Sequence, residues 1–178
     1  MPAAAPGAVG VAGSDDASGN TITVRGSGND IWETADSFRF LYRTLSGDCT
    51  VEAQVTSLDA THAWAKAGVM IRDDLSPGSR NTFIALTPSN GLIVQNRATA
   101  NAVTTSSPGP WGIAVPHWIR LQRTGNTIVA SASPNGVTWT TVATHTVSMS
   151  TTVHVGFAVT SHNNTALNTA VFTDPFIE

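Results

Sequence analysis

Along Trp64-Ala-Lys-Ala-Gly-Val-Met-Ile-Arg72, small apolar residues alternate with larger and more varied ones. In an extended strand successive side chains point to opposite faces. Ala65, Ala67, Val69 and Ile71 then form an apolar face suited to the space between two sheets, and Trp64, Lys66, Gly68, Met70 and Arg72 point the other way. In the run 92–97, Gln95 and Arg97 share a face with Ile93. If both runs lie in one sheet, Trp64, Lys66, Arg72, Gln95 and Arg97 make a concave polar-aromatic surface. An indole offers a flat apolar platform to the C–H face of a sugar ring, while Arg, Lys and Gln supply directional hydrogen bonds to its hydroxyls. Trp111, in Pro108-Gly-Pro-Trp-Gly112, is a loop aromatic able to close over such a ligand or to anchor its loop on the sandwich. The competing expectation covers the same face with the loop 101–116 and pairs Lys66 and Arg72 with Asp73, Asp74 or Asp59. Gly68 in mid-strand marks a place where something approaches the backbone closely.

The elements that must position these groups are strands. Period-two alternation recurs through 21–25, 38–43, 51–56, 64–72, 82–87, 92–97, 118–123, 127–133, 138–147 and 153–160, with a last strand from Val171 stopped by Pro175. Pro88-Ser-Asn-Gly91, Thr124-Gly-Asn126 and Pro134-Asn-Gly136 supply turns between them. No helix of any length fits. About eleven strands joined by turns, without alternating helices, indicate a two-sheet antiparallel β-sandwich or jelly roll. The long loop 101–116 suggests a functional segment.

Composition narrows the classes further. The 178 residues suit one domain, with 41% hydrophobic and 12% charged residues. A net charge of -3 with nine basic residues argues against nucleic-acid binding, and no apolar run is long enough to span a membrane. One cysteine, Cys49, excludes a disulfide framework and reads as a buried thiol. The chain is rich in threonine and has a single lysine, a composition that suits exported β-proteins. Residues 1–12 read as a linker, which makes 13–178 a module of a longer chain; export is inferred without a signal peptide.

Catalysis finds little to build on. The only glutamates, Glu33, Glu52 and Glu178, form no Glu-x-Asp-x-x-Glu strand of the kind used in glycoside hydrolysis. Asp73 and Asp74 would point to opposite faces of a strand. The five histidines show no metal-ligand spacing, and His162 beside Ser161 suits a turn. No catalytic residue is assigned.

Six segments carry a resemblance: Gly26-Ser-Gly-Asn-Asp-Ile-Trp32, Asp36-Ser-Phe-Arg-Phe40, Leu45-Ser-Gly-Asp48, the string from Trp64 to Arg72, Ser133-Pro-Asn-Gly-Val-Thr-Trp139 and Val155-Gly-Phe-Ala-Val-Thr-Ser-His162. They resemble the concanavalin A-like (laminin-G-like) jelly-roll domains of large secreted bacterial proteins, and a similar domain follows the catalytic part of some β-xylosidases. The resemblance implies an accessory module, secreted or at the cell surface, with a polysaccharide or oligosaccharide as ligand. It also implies neighbouring domains as partners. Some relatives of this architecture hold a structural calcium ion near the chain ends, where this chain has Asp15, Asp16 and Asp174. Those three form no calcium-loop pattern, and Asp174-Pro-Phe replaces the common Asp-Asn-Val ending. No cofactor is required by this reading. The expected function is non-catalytic glycan binding through Trp64, Lys66, Arg72, Gln95, Arg97 and Trp111. The alternative is a structural module that packs its polar face against a neighbouring catalytic or propeller domain.

Overall fold

Alternation in the sequence is answered by alternation in burial. In the stretch Thr21–Gly26, Ile22 and Val24 are buried between half-buried Thr21, Thr23 and Arg25. The computed structural model describes residues 1–110 and 112–178. In chain order the strands are β1 (Ala3–Ala4), β2 (Ser14–Ser18), β3 (Thr21–Gly26), β4 (Ile31–Trp32), β5 (Ala35–Asp36), β6 (Arg39–Ser46), β7 (Cys49–Leu58) and β8 (Lys66–Arg72). They continue with β9 (Asn81–Leu86), β10 (Leu92–Arg97), β11 (Thr105–Pro108), β12 (His117–Thr124), β13 (Thr127–Ser133), β14 (Thr140–Thr146), β15 (Thr152–Thr160) and β16 (Asn168–Ile177). No helix occurs among the described residues.

Two antiparallel sheets of seven strands each form a sandwich. The first has the order β1-β6-β15-β8-β9-β10-β11 and the second β14-β13-β12-β7-β16-β3-β2. Their facing sides enclose the main core, where Ala67, Val69 and Ile71 of β8 join Val51, Ala53 and Val55 of β7 and Ile119 and Leu121 of β12. The apolar row read from the sequence therefore does face the opposite sheet. Cys49 is buried in the same core.

A smaller apolar cluster lies on the other side of the first sheet. Met70, Phe83, Ala85, Ile93 and Ala158 project outward there and are roofed by Ile31 and Phe38. The roof belongs to the segment 28–38, folded back by the two-stranded ribbon β4-β5. It is closed on itself by Ser37 N–H donating to Asp30 O at 2.7 Å, and both its ends meet Thr160, whose Oγ1 lies 3.2 Å from Gly28 O and 3.1 Å from Ser37 O. Gly28, at φ 139°, lets the chain pass Ser37, whose carbonyl oxygen would sit 1.9 Å from any added Cβ. The cover expected from 101–116 is thus supplied by 28–38, while Thr105–Pro108 of that loop pairs as an edge strand with β10.

Residues 1–12 run along the sandwich. Ala3 and Ala4 pair with Leu41 and Phe40, Ser37 Oγ donates to Ala8 O, and Gly10 N–H donates to Asn164 Oδ1. Nor does the last strand stop at Pro175. It continues to Ile177 across an irregularity where Asp174 adopts φ 48°, which shifts its register against β7.

Candidate functional site

Register decides which outward side chains of the first sheet become neighbours. Arg72, Asn81 and Arg97 form one row across β8, β9 and β10, and Met70, Phe83 and Gln95 form the next. The shared face expected for Lys66, Arg72, Gln95 and Arg97 exists, with β9 lying between the two strands. The roof then divides it into a sealed half and an open half.

Arg72 and Arg97 belong to the sealed half, which corrects their assignment as ligand-binding groups. Both are fully buried, and Asp36 of β5 lies over them. Arg97 grips this carboxylate with two bonds, Nη2 to Oδ1 at 2.6 Å and Nη1 to Oδ2 at 2.9 Å, while Arg72 Nη1 reaches Oδ2 at 3.3 Å. The second positive charge is balanced by backbone carbonyl oxygens. Arg72 donates to Asp74 O and Ser76 O, and Arg97 to the carbonyls of Trp32, Glu33, Pro77, Ser79 and Ala102. The Arg72 guanidinium also lies 5.1 Å from the centre of the Phe38 ring. Every nitrogen of both arginines is engaged and both side chains are fully buried, which keeps them from a ligand. Burial pushes the Asp36 carboxyl up, against the opposing pull of Arg97 and Arg72, and pushes Arg72 down. These residues clamp the roof and the loop 74–79 to the sheet.

The open half is a cavity of about 330 Å³ lined by Asp30, Trp32, Trp64, Lys66, Gln95, Ser106 and His162. Each wall comes from a different element. Lys66 stands at the start of β8 and is only 1% exposed. Its ammonium donates to Asp30 Oδ1 on the roof and to Trp64 O at 3.2 Å. Burial lowers the Lys66 pKa, and the Asp30 carboxylate counteracts it. Gln95 rises from β10 directly opposite Ser106 of β11. Its Oε1 is buried and has no hydrogen-bond partner among the described residues. A buried amide oxygen without a partner is costly, so native proteins rarely leave one.

Trp64 sits two residues before β8, in a turn that Ala65 N–H closes on His62 O at 3.0 Å. The turn is held from outside by Asn90 Nδ2, which donates to Ala63 O at 2.8 Å. Its indole is 42% exposed, and Lys66 Nζ lies 5.8 Å from the ring centre. Beyond β15, His162 adopts φ 51° and stacks on His62 with ring centres 4.2 Å apart. His162 Nδ1 lies 3.1 Å from Asp30 Oδ2 without hydrogen-bond geometry. Burial first, with help from Lys66 and His62, lowers the His162 pKa despite Asp30, so the imidazole is neutral at pH 7.

Three of the six expected site residues, Trp64, Lys66 and Gln95, are therefore brought together, and Trp111 lies outside the described residues. Asp30, Trp32, Ser106 and His162 complete the wall without having been assigned to it. Asp30 and Trp32 stand in a segment that the sequence marks only through the resemblance, with no site role, and His162 reads as a turn residue. The one available signal was local: Asp30 stands two residues before Trp32, at the end of a short Gly-rich run. Gly68 does mark a close approach, but by the neighbouring strand: a Cβ there would lie 2.0 Å from Ile84 O.

The carboxylates near the chain ends do not fit a calcium site. Asp15 is bridged to Arg39, Asp16 to Arg25, and Asp174 accepts from Asn20 Nδ2. Among the described residues no group of three or more His, Cys, Asp or Glu could hold a metal ion. No helix among them is long and apolar enough to cross a membrane.

Solved structures share this architecture at low sequence identity. A functionally unknown protein from Saccharomyces cerevisiae is 17% identical with a TM-score of 0.73, over 93% of this chain and 91% of that one. The carbohydrate-binding module CBM66 from Bacillus subtilis is 16% identical with a TM-score of 0.63, over 99% and 94%. The GH43 protein BlXynB from Bacillus licheniformis is 14% identical with a TM-score of 0.57, over 88% of this chain and 32% of that one. These likenesses establish the concanavalin A-like sandwich. No curated protein sequence matches the chain. Residues 14–174 match the family described as "Protein of unknown function (DUF1349)", and the chain belongs to that family.

Proposed function

We propose that this domain is a non-catalytic glycan-binding module that takes a neutral sugar in the cavity between Trp32 and Trp64. The observation that carries the reading is Gln95, which lines a cavity flanked by two indoles and whose Oε1 has no hydrogen-bond partner among the described residues. A sugar hydroxyl would satisfy it. Asp30 adds acceptors, Ser106 and Lys66 add donors, and the indoles supply the apolar platforms that sugar C–H faces need. Charge points to a neutral ligand, because the Lys66 ammonium is already matched by the Asp30 carboxylate and His162 is uncharged at pH 7. An anionic sugar would have to compete for the one cation present. The shared sandwich with a carbohydrate-binding module supports the same class of ligand. Catalysis has no support, since the lining pairs no nucleophile with a base and its single carboxylate is held by Lys66. In this reading the module serves a larger secreted protein as its sugar-recognising part.

The test is retention of the protein on a panel of neutral polysaccharides, compared with Trp64→Ala and Gln95→Leu. Losing a hydrogen bond of this kind costs about 0.5–1.5 kcal/mol, so Gln95→Leu should weaken binding by roughly 3- to 10-fold. Trp64→Ala should weaken it by about tenfold or more. Both variants should keep the parent melting temperature to within about 2 °C. Parent-like retention of both variants would show that the cavity is not the binding site.

A further inference from the structure

We infer that the ligand is a linear oligosaccharide that passes from the cavity over Trp64 into an adjoining groove. This rests on the glycan-binding reading and extends it to the size and path of the ligand. Next to the cavity runs a groove of about 540 Å³, formed by the β9–β10 hairpin on one side and by residues 108–110 and 112–114 on the other. Trp64 and Ser106 line both spaces. Trp64 is therefore a wall of both the cavity and the groove, and it is 42% exposed.

The two ends of this path differ. At the cavity end the Lys66–Asp30 pair and the clamped roof close the way, with Lys66 buried. At the Trp64 end the walls are Pro88, Ser89, Leu92 and Ala114, neutral side chains with no ion pair across the gap. A cavity of about 330 Å³ lies at the small end of the ~300–1,000 Å³ range of small-molecule sites, enough for only one or two sugar units. The groove is larger and has no charged group among its described residues. It suits further neutral units laid flat on apolar walls, with polar specificity concentrated in the cavity. Asn90 ties the two together structurally, since it borders the groove and holds the turn that carries Trp64.

The experiment is isothermal titration calorimetry with the mono-, tri- and hexasaccharides of xylan, cellulose, laminarin, mannan, arabinan and levan. The parent protein is compared with Ser89→Arg and Ala114→Arg, two exposed groove positions outside the core. In at least one series the hexasaccharide is expected to bind the parent about tenfold or more tightly than the monosaccharide. Each arginine variant should bring the hexasaccharide to within about threefold of the monosaccharide while leaving the monosaccharide affinity unchanged. Equal affinity for one and six units, or hexasaccharide binding untouched by both variants, overturns the extended path and leaves a one-unit site standing. Absence of binding in every series overturns the path and the glycan-binding reading together.

Discussion

Replacing Arg97 with alanine separates a framework role from a ligand-binding role, because only the first predicts a large loss of stability. The guanidinium makes two bonds to Asp36, at 2.6 and 2.9 Å, and donates to Thr104 Oγ1 at 2.9 Å and to five backbone carbonyls. Without it, the 2% exposed Asp36 side chain keeps Arg72 and Asn81, each at 3.3 Å. Some carbonyls are spared, since Pro77 O also accepts from Asp36 N–H and Glu33 O from Thr104 N–H. Removing one partner of a buried ion pair costs about 3–5 kcal/mol. At roughly 2–4 °C per kcal/mol for a domain of this size, the melting temperature should fall by about 6–20 °C. Thermal melts followed by far-ultraviolet circular dichroism, backed by urea titrations with an unchanged slope, measure this directly. Arg97→Lys should fall between, because an ammonium keeps the charge but loses the two-pronged grip. If Arg97 were an exposed donor waiting for a sugar, the alanine variant would melt within about 2 °C of the parent. That result would refute the clamp.

Two further outcomes follow from the same structure. Gly68→Ala sets a methyl 2.0 Å from Ile84 O and 2.7 Å from Ala85 Cα, both backbone atoms. The strands must part to admit it, so the variant should lose at least about 3 kcal/mol and melt at least about 6 °C lower, and an unchanged melt would contradict the packing. Stability should also fall in mild acid. His117, His145, His154 and His162 all have pKa values lowered by burial, so the unfolded chain takes up protons before the native one. Their contribution is complete above the ordinary histidine pKa and is lost as pH drops below it. Melting temperatures should decline from pH 7.5 to 5.5, less steeply in His162→Asn, whose side chain tolerates φ 51°. A flat or rising profile for the parent would contradict the assignment.

Much of this molecule is legible along the chain. Eleven of its strands follow from period two because each has one face on the core, and burial on one face writes itself into the sequence as alternation. Five short strands, β1, β2, β4, β5 and β11, left no such trace. Two to five residues are too few to establish a period. Local register also made Lys66, Gly68, Met70 and Arg72 a single row, as the sheet has them. An alternating strand states which side chains share a face, and it does so without reference to the rest of the fold.

What covers a face is another matter. Arg72 and Lys66 stand on one strand and one side, yet the first is sealed under Asp36 while the second borders an open cavity. Nothing within 64–72 separates them. The difference arises because a segment some thirty residues earlier folds back over half of the sheet, and its two carboxylates, Asp36 and Asp30, choose their cations by where the roof lands. Alternation is a local consequence of backbone geometry, so one strand is enough to reveal it. Burial of a charged side chain depends on long-range contacts, and only the assembled sandwich determines which arginine becomes framework and which polar groups remain free to meet a ligand.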